Sequence, residues 1–207
     1  GLPLIKPIAA VLLKIMSDRR INNDQPLGSR QSGLKEADIK LPTRALAATT
    51  RELLYLAESV QTMFVPAMDI YENFDKVGVK ELKKIENEIF DVHGRIKNFL
   101  AKVSQQNLSE DLLKRNGDLM MFADNMAAAT DVIVNRLLKL AKERNEKALV
   151  FSDEGWRELL ALHDRVLVNM QLAMDVLVSS DLETARQLII EKNELSSMTQ
   201  KSLSKHL

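Results

Sequence analysis

Three histidines, His93, His163 and His206, are the side chains of this chain best suited to acid–base chemistry or metal binding. A helical bundle that holds a di-iron centre places a histidine three residues after a glutamate, so that both face the core. None of the three histidines has a glutamate at that position, and no two of them lie four residues apart. We therefore interpret His93 and His163 as surface or boundary residues, and His206 as favoured by the negative end of a helix dipole.

Other kinds of catalytic centre have no counterpart in the sequence. The chain contains no cysteine, which excludes disulfides, thiolate metal sites and cysteine nucleophiles. It has no glycine-rich phosphate loop and no nucleophile elbow. We therefore predict a protein that is not an enzyme and that carries no cofactor.

The composition indicates long helices. Only seven glycines and five prolines occur in 207 residues, and four of the prolines precede residue 43. The 29 basic and 29 acidic side chains cancel, which argues against a nucleic-acid partner. Apolar residues recur every three or four positions in five segments, which predicts amphipathic helices over residues 43–73, 79–103, 109–145, 152–178 and 181–207. The apolar stripe predicted for the third of these includes Leu119, Ile133, Leu137 and Leu140.

Local signals mark the ends of these helices. Pro66 is expected to kink the first helix, and Ser109 to cap the third. Ser180 and Glu183 have the spacing of a capping box before the last helix. A basic cluster at the end of the third helix is expected to form a solvated face that complements the helix dipole: Lys139, Lys142, Arg144 and Lys147.

The start of the chain differs from the helical body. Residues 1–17 contain an apolar stretch with Lys6, Lys14, Arg19 and Arg20 near its ends. The stretch is too short to span a bilayer, which needs about 20 apolar residues. It is either a membrane-proximal segment or a short amphipathic helix packed on the domain. Residues 18–41 are rich in turn-forming residues, and we interpret them as a linker or a loosely ordered segment.

An internal repeat sets the expected architecture. Arg51-Glu52-Leu53-Leu54 recurs 106 residues later as Arg157-Glu158-Leu159-Leu160, and ten of the 25 positions from Arg51 to Asp75 are identical at that offset. The first two helices therefore have a second copy in the fourth and fifth, and the third helix has none. We predict an all-α bundle of long antiparallel helices, with a three-helix unit over residues 42–147 and a second unit over residues 148–207 whose last helix is missing. The apolar face left open by the second unit needs a cover.

These residues resemble a known family. Two copies of a three-helix unit resemble PhoU proteins. Leu41-Pro-Thr-Arg-Ala-Leu-Ala, followed by Arg51-Glu-Leu-Leu-Tyr-Leu-Ala-Glu, resembles the start of the PhoU-like domain after the membrane part of bacterial sodium/phosphate cotransporter-like proteins. The stretch from Val92 to Leu100 resembles the end of that domain's second helix, and residues 185–207 resemble its second copy. The opening Leu-Pro-Leu-Ile-Lys-Pro is similar to the junction after the last membrane helix, which favours the membrane-proximal interpretation of residues 1–17.

The resemblance implies a role in phosphate handling. It implies a domain on the cytoplasmic side of the membrane that regulates its own transporter domain, involved in phosphate uptake or its control, with a sensor kinase as a further partner. Some PhoU proteins hold metal clusters through an acidic residue four positions before an Asp, and no Asp of this chain has one. At the matching positions Glu86 is followed by Phe90, and Asp131 is preceded by Ala127. Glu86 and Asp131 are therefore the residual metal candidates.

Three functions stay open on the sequence alone. The first is the regulatory domain of a sodium-dependent phosphate transporter-like protein. The second is a free-standing PhoU-type phosphate-signalling regulator, and the third is a PhoU-type metal-binding protein. We also expect self-association through the incomplete second unit, because two helices alone leave an apolar face open.

Overall fold

Every regular element in the described part of the chain is helical. The computed structural model describes residues 31–179 and 181–205. A short 3₁₀ helix, Glu36–Lys40, precedes the α-helices, and a π-helical stretch, Val132–Leu137, interrupts one of them. The α-helices are α1 (Pro42–Phe64), α2 (Ala67–Glu72), α3 (Lys76–Val103), α4 (Glu110–Asp131), α5 (Leu138–Glu146), α6 (Asp153–Ser179) and α7 (Leu182–Lys205). The predicted membrane-proximal segment, most of the predicted linker, Ser180 and His206 lie outside the described residues.

The predicted all-α bundle is confirmed. Helices α1, α3 and α4 pack against one another, α6 packs on α1, and α7 packs on α6. Short connections join α3 to α4 and α6 to α7, as in bundles of antiparallel helices. The largest fully buried apolar side chains come from the first three of these helices: Leu53, Leu56, Met63, Ile89, Ile96, Leu100 and Leu119. The core therefore lies mainly inside the first three-helix unit. Among the described helices, none combines the length and the apolar composition that crossing a bilayer requires.

Pro66 divides the first predicted helix in two. Helix α1 ends at Phe64, and α2 begins at Ala67. Proline has no N–H to donate, and its ring clashes with the carbonyl four residues earlier, so a continuous α-helix cannot pass through it unchanged. The expected kink is confirmed as a break, and it leaves carbonyls at the end of α1 free for other partners.

The end of the predicted linker packs on the bundle. Asp38 and Ile39 are buried, and Arg44 Nε lies 2.9 Å from Asp38 Oδ1. The Gly33 amide donates to Glu52 Oε2 at 3.4 Å. Glu52 is only 2% exposed, so this bond provides a buried carboxylate oxygen with a donor. The segment before α1 is therefore held to the bundle by an ion pair with Arg44 and a hydrogen bond to Glu52.

Asp75 caps α3 and starts it three residues earlier than predicted. The amides of Val77 and Gly78 donate to the Asp75 carboxylate at 2.9 and 2.8 Å. These amides are among the first four of the helix, which have no partner within it. An aspartate at this position satisfies them and also lies at the positive end of the helix dipole.

Replacing Asp75 by alanine is expected to lower the free energy of unfolding by about 1 kcal/mol, because two helix amides lose their acceptor. Chemical denaturation followed by circular dichroism measures it. Asp75→Asn keeps one of the two acceptor oxygens and is expected to recover about half of the loss. Equal losses in both variants would show that the charge, and not the hydrogen bonds, accounts for the effect.

Asp181 caps the start of α7, and Ser180, on which the predicted capping box rests, lies outside the described residues. The amide and the hydroxyl of Thr184 both donate to Asp181 Oδ2 at 2.8 Å. The hydrogen bond from the Thr184 amide is the main cause that lowers the pKa of the Asp181 carboxyl. Glu183, assigned to the box, instead lies near Arg186. The Asp181 carboxylate makes the cap because it stands three residues before Thr184, the spacing at which a side chain accepts from a helix amide.

The π-helical stretch changes which face of the third predicted helix is buried. One extra residue per turn rotates the following segment relative to α4. Val134 within the stretch and Leu138 and Ala141 after it are buried, whereas Leu140 is 54% exposed. The predicted stripe through Leu137 and Leu140 is therefore shifted by one residue, because it assumed a regular period through residue 145.

Candidate functional site

The two residual metal candidates lie close enough to interact. The pKa of the Glu86 carboxyl is raised, first by burial and also by the nearby negative charge of Asp131, while Lys83 lowers it. Asn135 Nδ2 donates to Asp131 Oδ1 at 2.7 Å. Within the described residues, no three histidine or carboxylate side chains converge in a way that could hold a metal ion. Asp131 thus acts on Glu86 only through its charge, and the metal assignment stays a prediction.

Glu86→Gln is expected to raise the free energy of unfolding by about 0.3 kcal/mol at pH 7, with solvent screening keeping the effect small. A carboxyl whose folded-state pKa is raised destabilises the fold when it is ionised, so the gain is present at neutral pH. It should vanish below pH 4, where Glu86 is protonated in the folded and the unfolded states. Denaturation of both proteins at pH 7 and pH 3.5 measures the difference. A gain of equal size at both pH values would contradict it.

His93 is a boundary residue that joins two helices. Its Nε2 lies 2.8 Å from Asp124 Oδ1, and Lys97 Nζ lies 3.0 Å from the same oxygen. The hydrogen bonds from His93 and then Lys97 lower the pKa of Asp124. The group links α3 to α4 and fits the sequence interpretation of His93.

His163 is buried, so the prediction of a surface or boundary residue is wrong. Its Nε2 lies 3.0 Å from the Phe64 carbonyl oxygen and donates to it, since a carbonyl can only accept. The His163 and Phe64 rings lie 4.5 Å apart between centroids. Phe64 is the last residue of α1. His163 therefore joins the second hairpin, which consists of α6 and α7 as the first consists of α1 and α3, to the break at Pro66. The repeat contained the signal, because His163 stands 106 residues after Ala57, which is in the core.

Arg144 is enclosed by aromatic rings. The prediction that it belongs to a solvated basic face is therefore wrong. Its guanidinium lies 5.7 Å from the ring centre of Tyr71 and 5.9 Å from those of Phe151 and Trp156. Nη1 donates to the carbonyls of Tyr71 at 3.0 Å and Glu72 at 2.7 Å. Arg144 therefore caps the C-terminus of α2, a role that depends on tertiary contacts and has no local sequence signal.

Helix α4, the π-helical stretch and α5 follow one another without a loop, and we call them together the long helix. Arg144 lies near its C-terminal end, and a second arginine caps another helix at its N-terminal end. Arg115 Nη2, near the start of α4, donates to the Leu177 carbonyl at 3.1 Å, in the last turn of α6. Tyr71 and Leu177 are 106 residues apart, which is the offset of the sequence repeat. The two hairpins are thus held at corresponding carbonyls.

An apolar cavity of about 510 Å³ opens beside the aromatic group. Its polar lining groups are few, and the Ser202 hydroxyl among them donates to Glu158 Oε2 at 2.7 Å. Apolar cavities with few polar groups are common binding sites. The apolar lining residues come from α2, α5, α6, the π-helical stretch and the α5–α6 loop: Met68, Tyr71, Leu137, Leu140, Val150, Phe151, Leu159 and Leu162.

The loop at the rim of this cavity contains a strained residue. Ala148 has a φ of 49°, in the left-handed region. The Leu149 amide donates to the Arg144 carbonyl at 3.0 Å, the pattern of a helix that ends in a left-handed residue, where glycine is preferred. Val150, two residues on, is 88% exposed.

Ala148→Gly is expected to raise the free energy of unfolding by about 0.5–1 kcal/mol, because glycine adopts positive φ without a Cβ clash. Thermal unfolding measures it. Ala148→Val, which has a branched Cβ, should lower the free energy of unfolding. A loss of stability in the glycine variant would contradict the strain.

Comparison with known proteins gives a relationship at moderate identity. A Salmonella typhimurium protein named "Putative inorganic phosphate export protein YjbB" is 28% identical over 192 residues, which cover 91% of this chain and 35% of the relative. Proteins of the same name from Escherichia coli and Shigella flexneri are 26% identical over 206 residues, or 100% of this chain and 37% of theirs. This chain is related to proteins named for phosphate export. It spans about a third of their length. No family model matches it, and no solved structure matches it significantly.

Proposed function

We propose that this chain is a regulatory domain of a membrane protein that moves inorganic phosphate. The observation that carries the proposal is its relation, over its whole length, to about a third of proteins named for phosphate export. A chain of that extent supplies one part of such a protein. The open apolar cavity suits a domain that binds another protein segment, and we propose no catalytic role.

The fold that we propose for this domain is PhoU-like, with two copies of one helical unit. Asp75 and Asp181 lie 106 residues apart, and each caps the second long helix of a hairpin. Tyr71 and Leu177 keep the same offset, and each gives a carbonyl to an arginine of the long helix. The matching carbonyls of Tyr71 and Leu177, which are different residue types, support the repeat beyond the sequence identities.

The partner that we propose is the transporter domain of the same protein, on the cytoplasmic side of the membrane. The PhoU resemblance adds a sensor kinase as a second candidate partner, and the incomplete second unit adds self-association. Sedimentation equilibrium of the isolated chain tests the last of these. A monomer at all concentrations would remove self-association from the proposal.

A transport assay tests the proposed function. The complete gene product that carries this chain is expressed in cells and compared with a variant that lacks residues 42–207. Radiolabelled phosphate flux is measured in both directions, with and without sodium, since the relatives are named for export and the resemblance implies sodium-dependent uptake. We expect the deletion to change how flux responds to internal phosphate while transport itself persists.

Two results would overturn this function. A complete gene product without membrane-spanning segments would instead support a free-standing signalling regulator. Identical flux responses with and without the domain, at equal membrane abundance, would remove the regulatory role.

The PhoU resemblance keeps a metal-binding function as a second candidate, with Glu86 and Asp131, whose charge raises the pKa of Glu86, as its residues. Elemental analysis of protein purified without chelator tests it, with Asp131→Asn as the matched variant. Stoichiometric metal that is lost in the variant would support it, and metal-free wild-type protein would end it.

A further inference from the structure

The outer face of α3 and α4 exposes large apolar side chains to solvent. Phe90 of α3 is 39% exposed, and Met121 of α4 and Val132, at the start of the π-helical stretch, are 60% and 49% exposed. We call this surface, residues 86–97 and 117–132, the α3–α4 face. It belongs to the first unit, whose helices α1, α3 and α4 pack against one another. Its exposure therefore does not depend on how the second unit is completed.

Two glycines on the same face have no role inside the chain. Gly94 lies within α3 and Gly117 within α4, and neither has a positive φ. Beyond its chain neighbours and the backbone of its own helix, neither has a described atom within 4 Å of the point where a Cβ would stand. Glycine inside a helix is less stable than alanine. The space beside these glycines is therefore open to a large side chain of another molecule.

The contacts between the two helices fix their register. His93 Nε2 of α3 lies 2.8 Å from Asp124 Oδ1 of α4, and the helices are joined by a short connection, so they run antiparallel. These two residues mark the centre of the face. On each helix a large exposed side chain and a small residue lie at similar distances on opposite sides of that centre: Phe90 and Gly94 on α3, Met121 and Ala128 on α4.

This arrangement makes the face complementary to itself. A two-fold axis that lies in the plane of the face and is perpendicular to both helices places α3 over α3 and α4 over α4 of a second copy, each pair antiparallel. A patch that meets the same patch on the partner forms an isologous interface. The axis matches one large side chain with one small residue in three pairs: Phe90 with Gly94, Met121 with Ala128, and Val132 with Gly117.

The charges on α3 select the same pairing. Glu86 lies one turn before Phe90, and Lys97 lies about one turn after Gly94. In the antiparallel arrangement Glu86 of each copy stands opposite Lys97 of the other, which gives two pairs of opposite charge. A parallel arrangement would bring like charges together. Charge complementarity of this kind suppresses wrong pairings and fixes the register of an interface.

We propose that the α3–α4 face binds a second copy of this chain, with the two α3 helices antiparallel. The face is two helices wide, or about 20 Å, and about 22 Å long at the rise of an α-helix. Two such faces bury on the order of 900 Å², which is below the standard size of a stable interface. The dimer is therefore weak, and its population rises with protein concentration.

Sedimentation equilibrium of the full 207-residue chain over a range of concentrations tests the proposal. We expect a monomer–dimer equilibrium whose Kd rises at least about tenfold in Phe90→Glu, because a charge would be buried against the partner. Val77→Glu is the matched control, since Val77 is 69% exposed in the first turn of α3, away from the face. It should dimerise as the unsubstituted chain does. A monomer at all concentrations, or the same Kd in both variants, would overturn the proposal.

Two charge variants test the antiparallel pairing. Glu86→Lys leaves only positive charges at the two paired positions, and Lys97→Glu leaves only negative ones. Each variant alone should therefore dimerise at least about tenfold more weakly. A mixture of the two restores both pairs of opposite charge, so a heterodimer should form about as tightly as the unsubstituted dimer. Sedimentation velocity with one variant fluorescently labelled detects it, and absence of the heterodimer would overturn the proposal.

Gly94→Leu separates loss of the dimer from loss of stability. Leucine favours the helix more than glycine does, and the space at Gly94 is open, so the Tm of the dilute monomer should rise. The same side chain occupies the space that Phe90 of the partner needs, so the dimer should weaken at least about tenfold. A variant that dimerises as tightly as the unsubstituted chain would overturn the proposal.

Ile189→Glu tests the second unit as the competing surface for self-association. Ile189 is 59% exposed on α7, and its substitution should leave the dimer unchanged. A dimer that is lost in Ile189→Glu but kept in Phe90→Glu would overturn the proposal. The inference does not rest on phosphate transport. Identical flux with and without the domain leaves the dimer standing, and a monomeric chain leaves the regulatory role standing.

Discussion

Leu56→Ala is expected to lower the free energy of unfolding by about 3 kcal/mol, and Leu162→Ala by only about 1 kcal/mol. The same substitution is made at both positions, and the positions are 106 residues apart in the repeat. Leu56 is 0% exposed, so alanine leaves a cavity in the core. Leu162 lines an existing cavity, so less packing is lost. Denaturant titrations of both variants measure the difference.

The comparison also tests the repeat. Leu53→Ala and Leu159→Ala form a second matched pair and should show the same order. Equal losses within each pair would contradict this difference in burial, because they would mean that both stripes are equally buried in solution.

Arg144→Leu is expected to lower the free energy of unfolding by about 2 kcal/mol. The substitution leaves two carbonyls at the end of α2 without their donor and removes a cation from three aromatic rings. Trp156 is the only tryptophan and lies beside the guanidinium, so its fluorescence reports the change directly. Its emission should shift to longer wavelength, because the rings lose the side chain that covers them.

Lys142→Leu is the matched control for Arg144. Lys142 is exposed and pairs only with Glu146 at 3.7 Å in the described contacts. A surface pair of this kind is worth about 0.3 kcal/mol, so stability and Trp156 emission should barely change. Arg144→Lys keeps the charge but loses the planar fork, and it is expected to recover less than half of the loss. Full recovery by lysine would show that charge alone matters.

Features set by neighbouring residues were predictable from the sequence. The helical segments followed from the spacing of apolar residues, the break followed from Pro66, and the cap of α4 followed from Ser109, whose hydroxyl accepts from Leu112 N at 3.4 Å. Each of these depends on a few consecutive residues.

Features set by distant contacts were not predictable in the same way. Arg144 caps a helix that ends 72 residues earlier in the chain, and His163 donates to a carbonyl 99 residues away. The π-helical stretch has no proline or glycine to mark it, so the buried face after Asp131 was placed one residue off. The candidate cavity was not predictable from the repeat, because its lining combines α2, α5, α6 and the loop between α5 and α6.

The arginines at the two ends of the long helix have a consequence for how the chain unfolds. Arg115 holds the end of α6, and Arg144 holds the end of α2, so one rigid segment is fastened to both hairpins. Separating α6 and α7 from the first unit breaks the Arg115–Leu177 hydrogen bond at one end of this helix and the contacts of Arg144 with Phe151 and Trp156 at the other. Although the sequence is duplicated, the two halves should therefore melt in a single cooperative transition.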